Sequence, residues 1–213
     1  MADNIRFAHL NASSFVKSEV QHMILRQLGK KIHFLNVVEM QTTPQLKSSL
    51  RKRYPHVVFY FNHGDKQANK ENCKEGKKGT MIAVVEGLVK LGEFKIHEKG
   101  QLATLDFQLG ARDYRFISVY APPERKTSSL LVYFKKLFDT KITDPEKQVI
   151  IAGDWNCGLY SKDYLNYADW INYRPRTRKI IRDGSVEHSL VDPYVVLNNQ
   201  YRVTDNSGYA YKR

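Results

Sequence analysis

Apolar positions along the chain recur with helical spacing in some stretches and with a period of two in others. Helical spacing predicts four helices, which cover approximately residues 13–30, 44–53, 128–138 and 176–182. Ser13 or Ser14 can cap the first of these, and Gly29 suits its end. Pro44 favours the first turn of the second helix, because its missing N–H has no helical partner there.

Period-two alternation and short apolar runs predict seven strands. They cover residues 5–10, 32–40, 57–61, 80–85, 102–109, 114–120 and 148–152. Between them, residues 62–78 are polar and Lys-rich and indicate an exposed loop. Several strands in the middle of the chain, with helices at intervals, favour an α+β layered sandwich over a doubly wound sheet. Because repeats and long linkers are absent from the sequence, we expect a single domain over 1–213.

Composition narrows the class of protein. The chain has 34 Lys and Arg against 22 Asp and Glu, and the resulting net charge of +12 favours a nucleic acid or an anionic membrane as partner. Its two cysteines are too few and too far apart for a zinc site or a disulfide framework. The sequence has no apolar run long enough for a membrane span, and its first residues lack the layout of a signal peptide. We therefore expect an intracellular chain that is not secreted.

The strongest candidate chemistry follows the strand at 148–152. Gly153 comes next, and Asp154 and Asn156 are two residues apart. On an extended chain these two side chains point the same way, which would place a base or metal ligand beside an amide. Phosphoryl chemistry needs one group to orient or deprotonate water and another to hold a phosphate oxygen. A strand end with turn-forming Asp and Asn is the structural alternative.

Two other predicted strands end on polar side chains. Tyr120 precedes a pair of prolines, and a phenol at a strand end can donate to a phosphate oxygen. Packing at the rim of the core would equally account for this Tyr. Asn11 ends the first strand, where it could contact a metal or a phosphate or cap the next helix.

These three features follow one another in the order of a known family. The chain resembles the endonuclease/exonuclease/phosphatase superfamily of DNase I-like enzymes: Asn11 matches the Asn that ends the family's first strand, and Tyr120 its Tyr-x-Pro strand end. Residues 153–156 match its Gly-Asp-x-Asn motif. Residues 190–194 are similar to the Leu-Val-Asp-aromatic pattern of LINE-type retrotransposon endonucleases. The resemblance covers residues 5–213.

The resemblance implies a fold and an activity. The fold would be a four-layer α/β sandwich, with two mixed β-sheets face to face between helices. The activity would be hydrolysis of a phosphodiester or phosphomonoester with Mg²⁺ or Mn²⁺. Asp154 would orient or deprotonate the attacking water, Asn156 and Tyr120 would hold phosphate oxygens, and Asn11 would sit beside the metal. A DNA endonuclease of retroelement or abasic-site type matches best, with RNA as the alternative substrate and the nucleus as the compartment of a retroelement enzyme.

The chain departs from the family pattern at two places. The family's Gln-Glu metal motif is matched only at Gln41, because Thr42 stands at the Glu position, and a hydroxyl is a poor ligand for Mg²⁺. Glu39 could replace that Glu only through a bulge, since in a regular strand it points away from the face of position 42. The closing strand and the Ser-Asp-His motif are not found before Arg213. We therefore expect a domain that lacks its last strands and has impaired activity.

Basic residues follow the Gly-Asp-x-Asn motif, and they are Arg174, Arg176, Arg178 and Lys179. The resemblance implies that they grip the nucleic-acid backbone beside the cut, which would add affinity without sequence choice. A solvated charged face is the alternative. The sequence thus predicts a metal-dependent DNA endonuclease. A catalytically degenerate nucleic-acid-binding remnant and a phosphatase or sphingomyelinase-like enzyme remain as alternatives.

Overall fold

The computed structural model describes residues 5–11, 25–40, 44–64, 79–122, 127–157 and 175–190. Within these ranges the chain forms eight strands and four helices. The strands are β1 (Phe7–Asn11), β2 (Phe34–Met40), β3 (Val57–Asn62), β4 (Gly79–Val85), β5 (Lys90–Glu98), β6 (Leu102–Leu109), β7 (Arg112–Tyr120) and β8 (Gln148–Asp154). The helices are α1 (Pro44–Arg53), α2 (Thr127–Leu137), α3 (Thr140–Thr143) and α4 (Pro175–Glu187).

The strands form two mixed sheets of four. The first has the order β1-β2-β4-β3 and the second the order β5-β6-β7-β8. In the first sheet β1 and β2 are parallel, and in the second β7 and β8 are parallel, while the other pairs are antiparallel. Because parallel strands end at the same edge, each sheet brings two carboxyl-terminal strand ends together.

Aromatic residues fill the space between the two sheets. Phe34 of β2 packs on Phe107 of β6 with ring centroids 4.8 Å apart, and Phe7 stacks on Phe116 at 5.8 Å. In a strand, every second side chain points to the same face of the sheet, and these four residues lie on the inner faces.

Helices cover the outer face of each sheet. Leu35 and Val37 of β2 pack with Leu50 of α1, and Ile117 of β7 packs with Phe134 of α2. The order of layers is therefore helix, sheet, sheet, helix, which confirms the predicted α+β sandwich.

Two differences from the predicted elements have simple causes. Strand β5 was not predicted, because as an edge strand its residues are mostly exposed or half-buried and carry no clear alternation. Leu25 is helical and residues 26–32 form turns around Gly29 at φ +83°, while most of the predicted first helix lies outside the described residues. Of the predicted loop at 62–78, Asn62 is the last residue of β3, and residues 65–78 lie outside the described ranges, as does the predicted loss of the last strands.

Candidate active site at the strand ends

Four strand ends bring polar side chains together across the two sheets. Asn11 at the end of β1 donates through Nδ2 to Oδ2 of Asp154 at the end of β8, at 2.8 Å. Tyr120 at the end of β7 donates its hydroxyl to Oε1 of Glu39 in β2, at 2.7 Å. Both bonds join the first sheet to the second. The structure thus brings three of the predicted site residues into one cluster and adds Glu39 to it.

A β-bulge explains the position of Glu39. The pairing of β2 with β4 shifts register between Val37 and Met40, and Glu39 has a left-handed φ of +57°. A bulge adds a residue and reverses the alternation of side chains beyond it. The strand is therefore not regular at this point, and the bulge that Glu39 needs in order to reach the site is present.

The turn after β8 orients Asp154. Its Oδ1 accepts a hydrogen bond from the backbone N–H of Asn156 at 2.9 Å, so each carboxylate oxygen accepts one hydrogen bond. Asn156 has a φ of +46°, which Asn tolerates better than most residues. The expected extended chain thus ends at Asp154, and the Asn156 side chain instead donates to the carbonyl of Ala121 at 2.6 Å. Asn156 therefore ties the end of β8 to the end of β7.

The environment of Tyr120 keeps its hydroxyl protonated. Burial raises the pKa of Tyr120, and the hydrogen bond to Glu39 and the charges of Glu39 and Asp154 raise it further. Tyr120 is accordingly a hydrogen-bond donor at neutral pH and not a base.

Comparisons with known proteins give matches in structure alone. No family model matches the chain, and no curated protein matches it in sequence. An AP endonuclease from Archaeoglobus fulgidus superposes with a TM-score of 0.69 over 99% of this chain and 80% of its own, at 15% identity. D. rerio TDP2 complexed with single-strand DNA product superposes with a TM-score of 0.53, covering 72% of this chain and 61% of its own, at 12% identity.

A humanized D. rerio TDP2 with 14 mutations gives a TM-score of 0.51 at 15% identity, covering 72% of this chain and 67% of its own. The chain has the DNase I-like fold. This confirms the fold implied by the motifs at Asn11, Tyr120 and 153–156. The resemblance to the retrotransposon branch stays a prediction.

Within the DNase I-like fold, the cluster offers oxygen atoms suited to a divalent metal. Glu39 and Asp154 supply carboxylates, and Asn11 supplies an amide oxygen because its nitrogen faces Asp154. Among the described residues, no three His, Cys, Asp or Glu side chains form a ready metal cage. These donors fit Mg²⁺ or Mn²⁺ better than Zn²⁺ or Cu²⁺, since carboxylate and amide oxygens suit the first two ions and nitrogen and sulfur the others. Thr42 lies outside the described residues.

The predicted basic residues on α4 differ in their exposure to solvent. Arg176 and Lys179 are exposed on α4, and Lys179 pairs with Asp183. Arg178 is buried, which does not favour its predicted contact with a nucleic acid, and that assignment stays a prediction. It lies next to Thr177 on the face that helical spacing turns towards α2. Arg174 lies outside the described residues.

Sequence reasoning missed two buried polar residues of the DNase I-like fold. Asn36 in β2 and Ser118 in β7 are both fully buried and lie beneath the site. They sit within apolar runs, and the only sequence signal was a polar residue in a strand that otherwise reads as core. No helix in the described ranges is long and apolar enough to cross a bilayer.

Proposed function

We propose that this chain is a divalent-metal-dependent phosphodiester hydrolase that acts on DNA. The observation that carries the proposal is the meeting of Asn11, Glu39, Tyr120 and Asp154 at one edge of a DNase I-like fold. The net charge of +12 supports a polyanionic substrate over a small neutral one. The similar structures are named as an AP endonuclease and as TDP2 with a single-strand DNA product, which supports DNA as the substrate class.

The proposed reaction breaks one P–O ester bond. The oxygen of a water molecule forms a new bond to phosphorus, and Asp154 accepts the proton that the water loses. The departing ester oxygen takes up a proton and leaves as an alcohol. Asn11 and the backbone N–H of Asn156 hold the two oxygens of Asp154, which fixes the direction in which it meets the water. Tyr120 stays protonated because its pKa is raised, and its single O–H would turn from Glu39 to a phosphate oxygen when the substrate binds.

A divalent cation would complete this site. Glu39 and Asn11 would hold it, with Asp154 close by, and it would supply positive charge against the phosphate oxygens. Glu39 would then take the place of the carboxylate expected at position 42, and the bulge in β2 supports this exchange.

Nicking of supercoiled plasmid DNA in the presence of Mg²⁺ tests the proposal. We expect the wild-type chain to nick, and Asp154→Asn and Glu39→Gln each to lose activity by roughly 10²-fold or more. Asp113→Asn is the matched control, because Asp113 is exposed at the start of β7, far along the strand from Tyr120. Equal nicking by the wild type and Asp154→Asn would indicate a contaminant and reject the catalytic assignment.

A binding-only protein is the second candidate. Thr42, at the position where the resemblance expects the metal-ligating Glu, favours it. It predicts DNA binding that weakens steeply with salt and no nicking by any variant. A phosphatase-like enzyme would instead release phosphate from a soluble phosphoester and show little affinity for DNA.

A further inference from the structure

Each strand that carries a site residue has the same order of side chains along its inner face. An aromatic or aliphatic residue lies deepest, a second residue follows it, and the site residue comes last at the strand end. The four series are Phe7-His9-Asn11, Phe34-Asn36-Glu39, Phe116-Ser118-Tyr120 and Ile150-Ala152-Asp154. Steps of two keep side chains on one face, and the bulge in β2 accounts for the step of three there. The second members therefore form a layer directly beneath the site.

Asn36 connects all four strands in this layer. Its Nδ2 donates to the carbonyl of Ala152 at 2.9 Å and lies 3.3 Å from Nδ1 of His9. Its Oδ1 accepts a hydrogen bond from the hydroxyl of Ser118 at 2.7 Å. His9 and Asn36 are register partners in the first sheet, and Ser118 and Ala152 are register partners in the second. One fully buried amide thus joins both pairs across the interior.

The connection matters because the site is divided between the sheets. Asn11 and Glu39 belong to the first sheet, and Tyr120 and Asp154 to the second. Deeper in the interior the sheets meet through apolar side chains, and the hydrophobic effect that holds these together is non-directional. Hydrogen bonds have a preferred length and angle, so the bonds of Asn36 define the spacing and the sliding position of one sheet on the other.

We propose that Asn36 is the positioning residue of the site, and that it sets the distance between the site residues of the two sheets. This inference rests on the proposed function for its kinetic consequence. Asn36 itself has no role in the chemistry, since its amide is occupied by β7, β8 and His9.

The chain contains a matched control for this role. Asn62 at the end of β3 is also buried and also joins the two sheets. Its Nδ2 donates to the carbonyl of Glu98 at 2.9 Å, and its Oδ1 accepts from the backbone N–H of Gly100 at 2.7 Å. Asn62 lies two strands from β2 in the sheet and contacts none of the four site residues through these bonds. Asn36→Leu and Asn62→Leu therefore remove equivalent buried amides at different places.

The test compares the two variants by nicking kinetics and by NMR. We expect Asn36→Leu to lower kcat by about 10²-fold with KM within about two-fold of the wild type, because misplacing reacting groups by 1 Å costs that much. Asn62→Leu should keep kcat within about three-fold of the wild type, even if its melting temperature falls as far as that of Asn36→Leu. For NMR the protein is labelled with ¹³Cζ-tyrosine, and the signal of Tyr120 is assigned by its loss in Tyr120→Phe. The chemical shift of this signal should change in Asn36→Leu and stay the same in Asn62→Leu.

Four results bear on the positioning role of Asn36. A wild-type kcat and an unmoved Tyr120 signal in Asn36→Leu would overturn the positioning role, as would an equal loss of kcat in Asn62→Leu. If the wild type does not nick at all, the proposed function fails, and the Tyr120 signal alone decides whether Asn36 positions the cluster. If Asn36→Leu does not fold, Ser118→Ala removes one of its three partners and replaces it in both measurements, with a smaller shift and a smaller loss expected.

Discussion

At the scale of single residues, the site depends on backbone conformations that most side chains avoid. Glu39 and Asn156 both have left-handed φ angles, of +57° and +46°, and both lie at the ends of site strands. Non-glycine residues in this region carry a conformational cost, which persists where the surrounding structure compensates for it. Hydrogen bonds to Tyr120 and to Ala121 provide that compensation here. The positions of these two residues thus depend on contacts made after the sheets assemble.

Gly153 is required for close approach of β7 and β8. A Cβ atom at this position would lie 1.8 Å from the carbonyl oxygen of Val119, its register partner. We expect Gly153→Ala to destabilise the fold by about 3 kcal/mol or more, because backbone atoms must move to accept the methyl group. Urea unfolding followed by circular dichroism measures this loss.

Gly110→Ala is the control for that experiment. Gly110 also has a positive φ, of +60°, but a Cβ there would meet nothing within 4 Å. Only the left-handed backbone opposes the change, so a loss of about 1–2 kcal/mol is expected. Similar losses in the two variants would show that crowding at Val119 is unimportant.

At the scale of elements, charged side chains fix the second sheet at the edge opposite the site. Arg115 of β7 donates to both oxygens of Asp106 in β6, at 2.6 and 2.8 Å. Lys147, just before β8, donates to Asp106 at 2.8 Å and pairs with Asp144. Burial alone would raise the pKa of the Asp106 carboxyl, but the hydrogen bonds from Arg115 and Lys147 outweigh it and hold that pKa below its usual value. The pairing of β6, β7 and β8 is therefore stabilised most when Asp106 is ionised.

The lowered pKa of Asp106 predicts how stability depends on pH. A carboxyl whose pKa is lower in the folded state stabilises the fold above its unfolded pKa of about 3.9, and this contribution is lost as the pH falls through the folded pKa. We expect Asp106→Asn to cost about 1.5–3 kcal/mol at pH 7 and progressively less below about pH 4. Chemical unfolding at a series of pH values measures the difference. Asp113→Asn, exposed in β7, should leave the curve unchanged, and a parallel loss at all pH values would contradict the assignment to Asp106.

The packing of helix α4 determines which of its basic residues are exposed to solvent. Ile181 packs in the cluster that contains Trp155, directly after β8, and Gly184 lies against Phe138 at the far end of α2. Arg176 and Lys179 lie exposed on α4, and we expect them to contribute to the binding of DNA.

At the scale of the whole molecule, the excess of positive charge predicts salt-dependent binding to DNA. Arg182 is exposed on α4 together with Arg176 and Lys179. We expect the triple change of these residues to Gln to weaken binding of a labelled oligonucleotide. It should also reduce the salt dependence of log K by about 0.9 for each phosphate group that the protein no longer neutralises. Fluorescence anisotropy from about 50 to 200 mM salt measures both effects.

Helix α1 provides the control of equal charge. It begins at Pro44 directly beyond the end of β2 and finishes at Arg53 near the start of β3, which is the edge away from the site. Changing Arg51, Lys52 and Arg53 to Gln removes three charges there, and the salt dependence should change little. An equal loss from both helices would mean that net charge, and not the surface of α4, determines the affinity.

Much of the fold was predictable because its signals are local. The bounds of α1 and β6 agree with the prediction, since Pro44 and the alternation at 102–109 are properties of short segments. The strand-end positions of Asn11, Tyr120 and Asp154 were predictable for the same reason. Strand β5 was not, because an exposed edge strand lacks the apolar alternation by which a strand is recognised in a sequence.

The sequence by itself determined which strands would end in Asn, Tyr and Asp and that basic residues would follow the last of them. Tertiary structure alone decided the partners: Asn11 meets Asp154 across 143 positions of the chain, and a bulge turns Glu39 to Tyr120. It also decided that Arg178 is buried. The physical reason is that periodicity describes one regular segment, whereas a bulge, a cross-sheet hydrogen bond and a helix face depend on the surface against which each segment packs.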